Sequence, residues 1–256
     1  MKIKQLLTII PLFLAVTMHS QENSQENQER LTRAKCKVKT VTTMHTDYKD
    51  YGKGPKAGTP YLTSKSTCNK AGFFTVSKTF TKTGVIESWN GYEYEKDANP
   101  KMMIVYNGDG TVNVRAEIRN GYDSLGRHIS TSTFVSDTIF LGKTLYSYDD
   151  KGYLVKANTY EALAHDRSQM RLTYSERYKY DDKGRISELT SHSEGSSNDF
   201  TTTFKYGADG RVAEKKDNYS AVYKYGANGL CSSITHYKGN DEIAYVVNYT
   251  YEFYAK

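Results

Sequence analysis

Cysteine, proline and tryptophan are scarce in these 256 residues, at three, four and one. Three cysteines allow one internal bridge at most, so no dense disulfide framework holds this chain. No Cys-x-x-Cys spacing and no neighbouring histidine pair offers a metal site. Two of the four prolines fall with three glycines in Asp50–Pro60, a stretch that reads as a loop. Long hydrophobic runs are missing as well. Past Leu6–Val16 nothing approaches the ~20 apolar residues of a membrane helix, and mean hydropathy is −0.69. Strong net charge is also absent: the formal value is +6, or +4 without Lys2 and Lys4. That is well short of a nucleic-acid footprint, and no nucleic-acid partner is expected.

The first residues, 1–20, read as an export signal peptide. Lys2 and Lys4 precede the apolar core Leu6–Val16, which is too short to anchor in a bilayer. Cleavage is expected after Ser20, with Thr17 as the rival, and no cysteine closes the core as a lipid anchor requires. Residues 21–30 (QENSQENQER) have nothing to bury and read as a disordered linker. The remainder, 31–256, is long enough for a single β-repeat domain. In an oxidising compartment Cys36–Cys68 is the natural bridge, worth ~3–4 kcal/mol in the chain-entropy model, although sequence leaves the pairing open. Cys231 reads as a small buried apolar residue.

What the chain does have is tyrosine, 23 copies of it, in a recurring frame. A tyrosine is followed four residues later by glycine at Tyr106–Gly110, Tyr122–Gly126, Tyr148–Gly152, Tyr180–Gly184, Tyr206–Gly210 and Tyr225–Gly229. An aromatic or apolar residue stands two positions before each tyrosine except Tyr122: Ile104, Tyr146, Tyr178, Phe204 and Tyr223. In the Tyr122, Tyr148 and Tyr180 copies an aspartate follows at once and can bond its own backbone to start a type I turn; glycine then takes the left-handed conformation that closes it. The copies at Tyr206 and Tyr225 instead place Asp209 or Asn228 directly before the glycine. Two residues after the glycine comes Val112, Leu154, Ile186, Val212 or Cys231, with His128 the outlier, and strand alternation resumes. The strands put tyrosine on one face and Thr, Ser, Lys and Arg on the other, which is the pattern of an antiparallel meander with one packed face. Residues 31–90 follow the scheme less closely.

Tyr122-Asp-Ser-Leu-Gly-Arg127 and Tyr178-Lys-Tyr-Asp-Asp-Lys-Gly-Arg185 resemble the YD repeat, Y-x-Y-D-x-x-G-R, of bacterial Rhs-type wall and surface proteins. The resemblance covers about residues 92–254 in degenerate copies. It implies strand–turn–strand units laid side by side in a coiling sheet, an exported protein, and contact with carbohydrate or cell surfaces. It carries over no activity.

Chemistry is thinly represented. His45, His128, His165, His192 and His236 are scattered, and His165-Asp166 is the only acid–histidine neighbour pair, so no catalytic residue, metal or cofactor is expected. The Asp-rich turns look like calcium-loop fragments, but they lack the later bidentate acid and turn chemistry accounts for them. Trp89 reads as core, and the tyrosines as packing residues rather than a sugar platform. Together these readings predict an all-β protein, an antiparallel meander of repeated β-hairpins in one extended, curved sheet. It would be a non-catalytic scaffold for an envelope glycan or a surface protein, in the periplasm, at the cell surface or outside. Two alternatives remain. One is a small outer-membrane β-barrel, which alternating strands and many tyrosines suit although the outer face has little Leu, Ile, Val or Phe. The other is a secreted hydrolase with a site built from distant strands. The turn assignment has a direct test: Gly184→Val should cost roughly 1–3 kcal/mol through backbone strain, read as a lowered denaturation midpoint.

Overall fold

The computed structural model describes residues 25–50, 54–94, 99–135, 139–163, 166–239 and 242–255. The export signal, residues 21–24 and His165 lie outside them. A helix, α1 (Gln25–Lys35), is followed by β1 (Val38–Asp50), β2 (Pro55–Ala57), β3 (Tyr61–Cys68), β4 (Phe74–Phe80), β5 (Ile86–Tyr94), β6 (Pro100–Tyr106), β7 (Val112–Tyr122), β8 (His128–Val135) and β9 (Ile139–Tyr148). The second half holds β10 (Leu154–Ala162), β11 (Met170–Tyr180), β12 (Ile186–Ser193), β13 (Phe200–Tyr206), β14 (Val212–Lys216), β15 (Ser220–Tyr225), β16 (Cys231–Lys238) and β17 (Glu242–Phe253).

From β3 onward every strand pairs antiparallel with the next. The ring closes because β1 takes β3 on one side and β17 on the other. The short β2 pairs only with the far end of β1. Sixteen strands therefore form a closed antiparallel barrel, which corrects the extended open sheet expected from the sequence. A run of hairpins looks the same in either arrangement. Closure comes from Val41, Thr43, His45 and Asp47 meeting Tyr251, Tyr249, Val247 and Tyr245, a match between distant segments that no local pattern displays.

Alternation along each strand sends one set of side chains into the barrel. That set holds most of the buried strand residues, among them Met103, Ala116, Thr144, Tyr146, Glu176 and Tyr178, and a single closed sheet can bury only its inner face. The outer set is polar. Across the register run the rows Arg119–Ser132–Lys143, Lys156–Arg177–Thr190 and Lys179–Glu188–Thr203–Lys216. The tyrosine-rich face is thus the enclosed one. Trp89, expected in the core, lies in the outer set, with the Lys78 ammonium 3.4 Å above its ring and Tyr106 beside it at 5.1 Å.

Strands β3, β5, β7, β9, β11, β13 and β15 end at one mouth, the α1 mouth, and β4, β6, β8, β10, β12, β14 and β16 end at the other. At the α1 mouth the hairpins lock together. The hydroxyl of Tyr148, at the end of β9, donates to the carbonyl of His128, which opens β8, at 2.8 Å. The same bond runs from Tyr94 to Phe74, Tyr180 to Leu154, Tyr206 to Ile186, Tyr225 to Val212 and Tyr251 to Cys231, all at 2.6–2.9 Å. Tyr122 instead accepts from Asn99 Nδ2 at 2.7 Å. The residue after the preceding turn glycine then covers each ring. Arg127 lies over Tyr148, Arg185 over Tyr206 and Arg211 over Tyr225, while Tyr153 stacks on Tyr180 at 4.7 Å.

The turn aspartate holds these arginines in place. Asp181 accepts from the backbone N–H groups of Lys183 and Arg185 and pairs with the Arg185 guanidinium at 2.6 Å. Partial desolvation pushes the Asp181 carboxyl up, but these donors outweigh it and hold it below the usual carboxylate range. All six turn glycines have φ between +74° and +88°. At Gly184 a Cβ would also fall 2.5 Å from the Tyr153 hydroxyl, so strain and a clash coincide there. Tyr106–Gly110 is the exception in placement. Because β6 ends at the far mouth, Tyr106 points outward and lies over Gly91, where a Cβ would come within 3.1 Å of its ring.

Two further expectations change. Residues 25–30 belong to α1 rather than to a disordered linker. Cys36, Cys68 and Cys231 are all thiols: Cys36 Sγ lies 3.5 Å from the Asn228 carbonyl instead of bonding Cys68, although both pack on the cluster of Val38, Val41 and Leu230. Removing one hydroxyl from the tyrosine lock leaves a carbonyl without its donor. Tyr206→Phe should therefore cost about 1–2 kcal/mol in urea denaturation, whereas Tyr237→Phe on the outer wall should leave the midpoint in place.

Candidate functional site at the helix-lined mouth

α1 has almost no apolar residues, and its sequence alone suggests no helix. Side-chain pairs one turn apart support it: Gln25 Nε2 donates to Glu29 Oε1 at 2.9 Å, Glu29 faces Arg33 at 3.8 Å, and Arg30 bonds Asn27. Such pairs add only a few tenths of a kcal/mol each, so the barrel wall must supply the rest. Arg33, 6% exposed, donates Nε–H to the Gly72 carbonyl at 3.0 Å and lays its guanidinium over Phe74 at 4.3 Å. Arg30 does the same one turn earlier, to the Ala71 carbonyl and over Phe73. Gly72 permits this approach, since a Cβ there would sit 2.2 Å from the Arg30 carbonyl oxygen.

The helix thus seats on the turn between β3 and β4, inside the mouth. Its inward side faces tyrosines of β5, β15 and β17. Gln25 bonds the Tyr223 hydroxyl, and burial together with the nearby Glu29 pushes that phenol up to about 12. Tyr92 is likewise pushed up to about 12 by burial, with Glu26 adding to the shift. The same surroundings act on the acids. Burial raises Glu26 to about 7, with Arg33 pulling back and Glu29 adding to the rise. Burial also raises Glu29, while the Gln25 hydrogen bond and Arg33 oppose it.

Two cavities flank the helix. One, of about 340 Å³, lies between Glu29, Thr32 and Arg33 and the inner wall at Thr43, Ser64 and Tyr249. The other, of about 460 Å³, lies between Gln25, Gln28 and Leu31 and the turns carrying Lys183, Arg185 and Arg211. Glu176, 3% exposed, accepts from the hydroxyls of Tyr178 and Tyr174, and burial holds its carboxyl above the usual range.

The repeat tyrosines and glycines sit at the hairpin turns, and among them Gly210, Tyr225 and Gly229 line the cavities. At the far mouth the structure joins two histidines that sequence left scattered. Tyr245 lies between His45 and His236, at 4.6 and 4.2 Å, and His45 bonds Asp47 at 2.9 Å. The other face of His45 is taken by Tyr61. His192 pairs with Asp199 at 2.9 Å, and His128 is buried against Thr131. Among the described residues no three His, Cys, Asp or Glu side chains converge as metal ligands. The one sequence trace of α1 was the spacing of Gln25, Glu29 and Arg33.

No family model and no curated protein matches this chain. Among solved structures it is similar to a porin-like protein from Bacteroides uniformis, 11% identical with a TM-score of 0.45, over 84% of this chain and 98% of that one. A porin-like protein from Bacteroides vulgatus is 12% identical with a TM-score of 0.41, over 84% and 98%. The Photorhabdus luminescens Tc holotoxin pore is 14% identical with a TM-score of 0.36, over 82% of this chain and 12% of that one. At these scores the barrel rests on its own strand pairings.

The raised Glu26 ties helix docking to pH. Folded, this carboxyl keeps its proton up to about 7, whereas its ordinary value is 4.5. The folded state binds the extra proton, so the contribution is complete below pH 4.5 and is lost as pH rises through 7. Melting temperature should therefore fall across that window, and Glu26→Gln should flatten the dependence in thermal melts.

Proposed function

We propose that this protein is an exported β-barrel of the bacterial envelope that acts as a non-catalytic binding vessel, with its outer wall in water and one mouth occupied by its own helix. The observation that carries this reading is the distribution of charge on the wall. A membrane barrel presents an apolar band ~25 Å tall to lipid. Here the strands carry outward charges near their middles, such as Lys65, Lys78, Glu117, Lys143 and Glu188, and several pair across strands, as in Lys179–Glu188 at 2.8 Å and Lys205–Glu214 at 3.0 Å. Each Lys or Arg facing the middle of a bilayer would cost ~2–4 kcal/mol. Because the tyrosine face is enclosed, a glycan or other partner reaches it only through a mouth, and the cavities beside α1 are where such a partner would lodge.

A second reading, the outer-membrane barrel, has the closed sixteen-strand ring in its favour. It is also supported by one outer arc, where Trp89, Ile104, Tyr106, Phe134, Phe140 and Leu145 face out between β5 and β9. Even that arc includes Arg115, Glu117 and Arg119, the last bonded to Glu117 at 2.7 Å. Fractionation of cells expressing the full chain separates the two readings. The water-facing vessel predicts release by osmotic shock or into the medium, with no change of gel migration on heating. Retention in the outer membrane until detergent is added, with heat-modifiable migration, would establish the membrane barrel instead.

A further inference from the structure

The cavity between α1 and the strands β1, β3, β16 and β17 has a lining whose polar groups divide into two kinds. The first kind is already engaged. Glu29 and Arg33 face one another at 3.8 Å, Arg33 also bonds the Gly72 carbonyl, and Glu29 accepts from Gln25. Ser66 bonds Ser77, Thr32 bonds the Gln28 carbonyl, and Tyr251 bonds the Cys231 carbonyl. The second kind is unspent: the hydroxyls of Thr43, Ser64 and Tyr249 line the cavity and make no hydrogen bond with another described residue. Thr43 and Tyr249 are register partners across the β1–β17 seam, and Thr43 and Ser64 are partners across β1–β3. The three hydroxyls therefore stand side by side on one strip of wall. Val41, Phe74, Leu230, Cys231 and Ile234 complete the lining with apolar surface.

We propose that this cavity binds a small neutral polyhydroxylated molecule of monosaccharide size. At about 340 Å³ it lies at the small end of ligand pockets, which run ~300–1,000 Å³. An ionic ligand finds no unpaired charge here, since the one carboxylate and the one guanidinium compensate each other. A purely apolar ligand would leave three hydroxyls without partners as it expelled their water, a cost such groups do not recover. A polyol satisfies both constraints: its C–H face lies against Phe74 and the Tyr249 ring, and its hydroxyls exchange hydrogen bonds with Thr43, Ser64 and Tyr249. This deepens the binding-vessel reading by naming the class of its contents, and it does not depend on which compartment surrounds the barrel.

The test is saturation-transfer NMR on the full chain with glucose, galactose and N-acetylglucosamine as probes, alongside glucuronate and glucosamine as charged counterparts. At least one neutral sugar should receive saturation and both charged sugars should receive less. Thr43→Val, which removes a hydroxyl at nearly constant volume, should weaken the neutral sugar by about tenfold, the loss of one hydrogen bond. Ser64→Leu, which fills the space, should abolish its signal. Both variants are compared at matched melting behaviour, and Tyr237→Phe on the outer wall should bind as the wild type does. No transfer to any neutral sugar from the folded protein would overturn the proposal, as would equal binding of charged sugars or unchanged affinity in Thr43→Val. Fractionation is read separately, so a barrel that is found in a membrane and still binds glucose keeps this assignment while losing the water-facing one.

Discussion

The structure depends on one repeated bond, from a tyrosine hydroxyl at the end of one strand to the carbonyl that opens the strand before it. A single copy is worth about 1 kcal/mol. Its effect lies in what it links. Each tyrosine belongs to one hairpin and each acceptor to the hairpin's returning neighbour, while the arginine or tyrosine that covers the ring comes from the turn between strands of the preceding unit. Turn shape, ring packing and strand register are fixed by the same six residues of sequence. Register matters here, because a slip of one residue would exchange the inner and outer sets of the strand that slips.

That exchange would be costly, because the two faces differ so strongly. Lysine, arginine and most glutamates belong to the outside, and tyrosine and small apolar residues to the inside, with threonine on both. The interior is neither oily nor a simple aqueous bore. Its tyrosines give apolar bodies to pack and hydroxyls to satisfy backbone and carboxylate groups, as at Glu176. The same chemistry lets a polar helix dock. α1 offers arginine stems and planes to Phe73 and Phe74, and amides and carboxyls to the phenols around it, so it needs no apolar stripe of its own.

These facts separate what could be read from the sequence from what could not. The hairpin turns are local events, and Asp181 with Gly184 announces one as clearly as residues can. The faces of the strands were legible too, since Tyr178, Tyr180, Phe204 and Tyr206 keep strict alternation with lysine and threonine. Closure was not, because it lies in the match of Thr43 and His45 with Tyr249 and Val247, far apart along the chain. The helix escaped notice because its partners are supplied by the wall it leans on. The candidate cavity was hidden for the same reason: Thr43, Ser64 and Tyr249 are unremarkable in sequence and become neighbours only across the seam. Trp89 was read as core, yet Gly91 and Gly110 leave room for it and Tyr106 to pack flat on the outer wall.

The seam between β1 and β17 also sets an order of events in time. Every other pairing in the ring joins strands that are neighbours in the chain, so hairpins can form and zip together as soon as their residues exist. Joining Thr40 to Glu252 must wait for all of them, and bringing the two ends together carries the largest loop-closure entropy in the molecule. Until then β1 and the growing end of the sheet are bare edges, open to pairing with another chain. The interval before closure is thus when this barrel is most exposed to misassembly, and α1, already tethered to β1, is the nearest element able to shield that first edge.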